Sequence, residues 1–236
     1  MQLLGLNFTG VKIKNPSNKG KSADSLPLTA DFKHIYERRT TMKIFRFGLL
    51  FLLLSCITLS AEAQTNSYRH QATGLTFPDG VEGIIRGDVK DFEGTNPGLG
   101  VSVPYDRPGI TVTVYLYTLG LRSISGDLAS PILKEHFNQV IQDIYKVEKL
   151  GYYKFVKKTA EGITFLRADK TGPQALSASF SYVQNGVERL SKVYLLGHKQ
   201  HFLKIRFTYD KSVQAQTEEK LTAFLNAMAN MIEGNL

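Results

Sequence analysis

Residues 174–210 constrain the fold more than any other part of the chain, because one dipeptide within them fixes a strand pairing. Val183-Gln184-Asn185-Gly186-Val187 sets Asn-Gly between two alternating apolar and polar runs, the strongest local signal for a two-residue hairpin. Pairing Gln184 with Val187 brings Leu176 opposite Leu195, Ala178 opposite Val193 and Phe180 opposite Ser191. The next connection, Gly197-His198-Lys199-Gln200-His201, leaves a choice of register. An even loop that pairs Val193 with Lys204 mixes core with solvent. An odd loop centred on Lys199 pairs Leu195 with Leu203 and Val193 with Ile205. A slip of one residue exchanges the faces of a strand, so the odd loop is expected.

In that register the meander has one buried side, made of Leu176, Leu195 and Leu203, then Ala178, Val193 and Ile205, then Phe180, Ser191 and Phe207. The reverse carries Ser177, Tyr194 and Lys204 in one row and Ser179, Lys192 and Arg206 in the next. Lys192 and Arg206 then lie directly opposite each other, an arrangement that disfavours the pairing. Such a face either splays its charges into water, as one-sided antiparallel sheets commonly do, or receives an acidic partner. Lys192, Tyr194, Lys204 and Arg206 are the candidate binding residues, for a protein or an anionic envelope component.

Upstream, Leu75–Pro78, Ile84–Phe92, Leu99–Tyr105 and Ile110–Tyr117 read as strands separated by Gly, Pro and Asp clusters. In the last, Ile110, Val112, Val114 and Leu116 alternate with the more polar Thr111, Thr113, Tyr115 and Tyr117. The period then changes. Ser130 reads as a cap and Pro131 as a first-turn residue, with Leu133, Phe137, Val140, Ile141, Ile144 and Val147 at helical spacing and Gly151 as the stop. A second amphipathic helix carries Leu221, Phe224, Leu225, Met228, Met231 and Ile232 ahead of Gly234. The expected fold is α+β, a twisted antiparallel sheet with two long helices packed on one face.

The segment beginning at Met42 has the order of a secretory signal. Lys43 and Arg46 precede an apolar run from Phe47 to Leu59, and Ala61-Glu62-Ala63 follows as a small-x-small cleavage pattern. Cleavage between Ala63 and Gln64 is expected. A membrane-spanning helix needs about 20 apolar residues, and this run is shorter. Two competing readings keep the protein attached: a signal anchor with the basic N-terminus inside, and a lipoprotein modified at Cys56, since Leu53-Leu54-Ser55-Cys56 resembles a lipobox. Residues 1–41 show no apolar period and include the loop-forming stretch NPSNKGKSADS. They read as a non-native extension or a disordered segment, leaving 64–236 as one α+β domain, periplasmic or secreted.

That division changes the charge argument. The chain is +8 overall, but residues 1–41 carry +4 and residues 42–63 carry +1, leaving +3 for 64–236. A nucleic-acid binder wants a strongly basic domain, so that class is disfavoured. Cys56 is the sole cysteine, so the proposed mature chain has no disulfide, thiol nucleophile or thiolate ligand.

The remaining candidates for chemistry are weaker. His198 and His201 share a hairpin loop with Lys199 and have no carboxylate beside them within it, so no metal site is expected. His70 and His136 stand apart in sequence. Gly98-Leu99-Gly100 leads into a strand rather than the helix N-terminus that a phosphate loop requires. Tyr105-Asp106-Arg107-Pro108 reads as a connection between two strands. No catalytic residue and no cofactor is assigned.

The order of four strands, a helix, five strands and a helix now supports a resemblance. The opening Gly74-Leu75-Thr76-Phe77-Pro78, the strand Thr111-Val112-Thr113-Val114-Tyr115-Leu116-Tyr117 before a long helix, and Arg206-Phe207-Thr208-Tyr209 before Leu221–Ile232 resemble bacterial exported domains of the PsbP/Mog1-like type. The resemblance implies an accessory, assembly or binding role more than catalysis. The functional expectation is therefore a non-catalytic exported binding protein, with an envelope hydrolase as the alternative.

Overall fold

The computed structural model describes residues 66–234. The expected extension, the signal with Cys56, and the Ala63–Gln64 cleavage point lie outside the described residues. The chain begins with five short strands, β1 (Tyr68–Arg69), β2 (Thr76–Phe77), β3 (Gly80–Val81), β4 (Ile84–Arg86) and β5 (Lys90–Asp91). Two longer ones follow, β6 (Val101–Arg107) and β7 (Ile110–Tyr117), then helix α1 (Pro131–Lys149). Four long strands come next: β8 (Lys154–Phe165), β9 (Gln174–Gln184), β10 (Val187–His198) and β11 (His201–Asp210). A short 3-10 turn, Lys211–Val213, leads into α2 (Gln214–Glu233). Four strands, rather than the expected five, lie between the helices, and the expected strand Ile84–Phe92 is divided into β4 and β5.

Among the described residues the main sheet runs β3-β4-β6-β7-β11-β10-β9-β8, with β5 beside β6, and β1 and β2 form a separate pair. Every pairing is antiparallel. Alternation along the chain of pairings makes β7 and β8 run in the same direction, so α1 is the crossover between them, as a parallel connection requires. Pro131 opens α1 where its missing N–H is harmless. Gly234, at φ 76°, closes α2 in the left-handed conformation that glycine adopts freely.

The β9–β10 hairpin has the expected register, with Gln184 opposite Val187, Leu176 opposite Leu195 and Ala178 opposite Val193. The β10–β11 register does not. A two-residue turn, Lys199-Gln200, pairs His198 with His201, and this sets Leu196 opposite Leu203, Tyr194 opposite Ile205, Leu195 opposite Lys204 and Val193 opposite Arg206. Lys192 faces Phe207, not Arg206. Both turn residues have positive φ, 44° and 64°, an unusual state for non-glycine residues. Lys199 Nζ anchors the turn by donating to the Thr73 carbonyl at 2.8 Å.

The reason for the difference lies in the layering. The α+β class and the antiparallel sheet with two long helices are present, but the helices cover opposite faces. Along the regular strand β11, Leu203, Ile205 and Phe207 belong to a core with Leu221, Phe224, Leu225 and Met228 of α2, and the Phe224 ring lies 6.1 Å from that of Phe207. Phe202, on the other face, lies 4.3 Å from the His136 ring of α1. Both neighbours Leu195 and Leu196 are therefore buried, as are Phe202 and Leu203. With apolar cover on each side, matching one oily face no longer selects a register.

Candidate functional site

The four residues expected to share one patch are separated by the observed register. Lys192 and Tyr194 belong to the α2 face. Tyr194 is buried. Lys192 Nζ bonds Glu218 Oε2 at 2.8 Å, and the other carboxylate oxygen accepts from the Tyr209 hydroxyl at 2.7 Å. Burial alone would raise the Glu218 carboxyl, but the bonds from Lys192 and Tyr209 outweigh it and hold the group below its usual range. This is a closed structural pair.

Lys204 and Arg206 belong to the α1 face, two residues apart on one side of β11, beside the Tyr115 and Thr113 positions of β7. Lys204 Nζ stands 4.3 Å from the centre of the Tyr115 ring and 5.4 Å from that of Tyr117. An ammonium over two aromatic faces is attracted by their electron-rich surfaces. Arg206 is held differently: Nε donates to Ser191 Oγ at 3.3 Å, and Nη2 donates to the hydroxyls of Tyr153 at 3.1 Å and Tyr182 at 3.3 Å. Those two rings stack with centroids 4.1 Å apart, which makes a rigid seat for the guanidinium.

Among the described residues neither cation forms an ion pair. Lys204 Nζ has no hydrogen-bond acceptor among them. Both side chains remain partly exposed although protein is dense around them, which is the state of recessed rather than projecting charges. Burial lowers Lys204 first, the neighbouring Arg206 charge lowers it further, and Asp143 only partly opposes them, leaving the ammonium at about 8. Arg206 stays charged at any pH the protein meets.

Helix α1 supplies the wall. His136 Nε2 and the Tyr117 hydroxyl are 2.6 Å apart. Burial, reinforced by the Lys204 charge, pushes His136 down to about 4, so its ring is neutral and can either donate or accept. Burial raises both Tyr115 and Tyr117, so these phenols keep their protons. Asp143, one element away from Lys204, is occupied by Gln139 Nε2 at 2.8 Å and Lys146 Nζ at 2.9 Å. On the far side, Ser102 is buried in the row of Tyr115 and Lys204, and its Oγ has no hydrogen-bond partner among the described residues.

Among the described residues the ensemble offers two recessed cations, neutral phenol donors and a spare hydroxyl, with no carboxylate bonded to either cation. It is suited to an anion that carries oxygen acceptors. Sequence reasoning named Lys204 and Arg206, set His136 aside as standing apart, and missed Tyr153 and Tyr182. Tyr115 and Tyr117 were legible as the polar side of their strand. Their meeting with Lys204 depends on β7 pairing with β11, across about ninety residues, and no local pattern announces that pairing.

The other sequence candidates resolve simply. The backbone N–H groups of Gly98 and Gly100 do cradle an anion, but it is the chain's own Glu93 carboxylate, at 2.9–3.0 Å. His70 and His201 are edge-to-face with centroids 5.5 Å apart. Among the described residues no group of three or more His, Cys, Asp or Glu is placed to hold a metal. No helix among them is long and apolar enough to cross a membrane.

No family model and no curated protein matches the chain. Among solved structures it is similar to cyanobacterial PsbP (CyanoP) from Synechocystis sp. PCC 6803, at 11% identity and a TM-score of 0.45, over 74% of this chain and 96% of that one. It is also similar to the Ran-binding protein Mog1p of Saccharomyces cerevisiae, at 11% identity and 0.33, over 72% and 90%. A third is protein PA94 of Pseudomonas aeruginosa, of unknown function, at 12% identity and 0.32, over 70% and 94%. At these identities and scores no residue role passes from any of them to this chain.

Proposed function

We propose that this is an exported, non-catalytic binding protein, periplasmic or secreted, which holds an anionic group of a protein or envelope molecule against Lys204 and Arg206. The observation that carries the reading is the pair itself: two neighbouring recessed cations without an ion pair among the described residues. Leaving like charges together in partial burial opposes folding. A ligand that supplies the missing negative charge gives such an arrangement a use.

Export rests on the signal-like segment 42–63. Intact-mass measurement of the protein recovered from outside the cytosol should find Gln64 as its N-terminus. A mass that retains residues 42–63 rejects cleavage. For the site, native mass spectrometry after exposure to envelope extract should show a bound species on the wild type that is lost from Lys204→Met/Arg206→Gln. Equal retention by a folded double variant rejects the site.

A further inference from the structure

The corner where α1 hands over to β8 carries a second set of features that the anion site does not use. Leu150 caps the helix, Gly151 turns the chain at φ 81°, and the next residues alternate sharply in cover. Tyr153 is buried against Tyr182. Around it Leu150 is 51% exposed, Tyr152 53% and Phe155 79%. A phenylalanine four-fifths in water projects from the surface.

The backbone holds it there. Phe155 has φ 57°, a genuine outlier for a bulky side chain. It lies where the pairing of β8 with β9 shifts, between Lys154 opposite Val183 and Lys157 opposite Ser181. Such bulges commonly re-aim a side chain. The distortion is pinned from the helix, since Glu148 Oε1 accepts the Val156 N–H at 2.8 Å. Strain of this kind persists only when surrounding contacts impose it, and it concentrates at functional places.

Charge completes the pattern. Residues 143–161 hold five lysines against three carboxylates. Asp143 and Glu161 are engaged by Lys146 and Lys158, and Glu148 is committed to the bulge. Lys149, Lys154 and Lys157 are exposed and form no ion pair among the described residues.

We propose that this corner is a membrane-docking wedge, in which Phe155, Leu150 and Tyr152 enter the headgroup boundary of an anionic bilayer while Lys149, Lys154 and Lys157 meet its phosphates. An apolar tip flanked along the chain by exposed lysines matches the two components of interfacial attachment, buried apolar surface and attraction to anionic lipid. Its projecting shape suits a deformable lipid surface better than a rigid partner.

The test uses the protein as cells process it, its N-terminus determined by mass, sedimented with vesicles of phosphatidylethanolamine and phosphatidylglycerol or of phosphatidylcholine alone. Phe155→Gly removes the ring and suits the positive φ, so it should keep or raise the thermal midpoint while weakening binding to the anionic vesicles about tenfold. Lys149→Glu/Lys154→Glu/Lys157→Glu should weaken it further, and salt should do the same to the wild type. Equal binding by Phe155→Gly, equal binding to phosphatidylcholine, or a lowered midpoint in Phe155→Gly overturns the proposal. So does self-association or capture of an acidic protein through this corner without vesicle binding.

Discussion

Both faces of the central sheet are packed with apolar side chains, but they treat their cations in opposite ways. Toward α2, apolar side chains interlock, and the cation Lys192 is matched by Glu218. Toward α1, under comparable crowding, β11 presents Lys204 and Arg206 to phenols, hydroxyls and an imidazole, with no carboxylate bonded to either among the described residues. Packing needs explain the first face. They do not call for two adjacent cations on the second, where an apolar side chain in place of Lys204 is expected to stabilise the fold. A protein that retains such a face is expected to gain from it outside folding, which is why we place binding there.

The contrast breaks if both faces respond alike to substitution. The largest effect should come from the α2 face, where Phe224 is fully buried between Tyr105 and Phe207. Phe224→Ala should destabilise by about 3–5 kcal/mol, read as a lower urea midpoint. On the α1 face the sign should reverse. Lys204→Met should raise stability by about 1–2 kcal/mol at pH 7 while abolishing ligand retention.

Acid should sharpen the comparison. His136 is pushed down to about 4 in the fold, whereas unfolded histidine titrates near 6.5. Between those values the unfolded chain takes up a proton that the folded one refuses. Stability should therefore fall as pH drops from about 6.5 to about 4, and His136→Gln should flatten that part of a pH series of thermal midpoints. The smallest effect belongs to Glu218. Its folded carboxyl lies below the usual range, so its contribution is present above the unfolded carboxyl value and disappears as pH falls through the folded one. Because the group is partly exposed, Glu218→Gln should cost less than about 1 kcal/mol near neutrality and soften the acid limb.

What the sequence made legible follows the same divide. Asn185-Gly186 fixed the β9–β10 register to the residue because the turn needs positive φ at both positions, and both have it, 52° and 79°. Lys199-Gln200 makes a turn with the same requirement and none of the usual residues, so the pattern of faces had to decide. That pattern assumes one dry side. Here Leu195 points to α1 and Leu196 to α2, and both are buried. The functional consequence is direct: Lys204 and Arg206 were legible as the charged reverse of the meander, but the expected register put them with Tyr194 and Lys192 instead of with Tyr115 and Val193. Tyr153 and Tyr182 reach Arg206 from separate elements, so their role exists only in three dimensions.

The most direct measurement of the recessed Lys204 charge is the stability difference between the wild type and Lys204→Met from pH 7 to pH 10.5. Lys204 titrates at about 8 in the fold and near 10.4 when unfolded, so across that window the unfolded chain holds the extra proton and stability should rise with pH. The account predicts that the advantage of Lys204→Met at pH 7 shrinks steadily toward the alkaline end. A difference that stays constant with pH would mean that Lys204 is an ordinary solvated lysine, and would contradict the reading of the α1 face as a site.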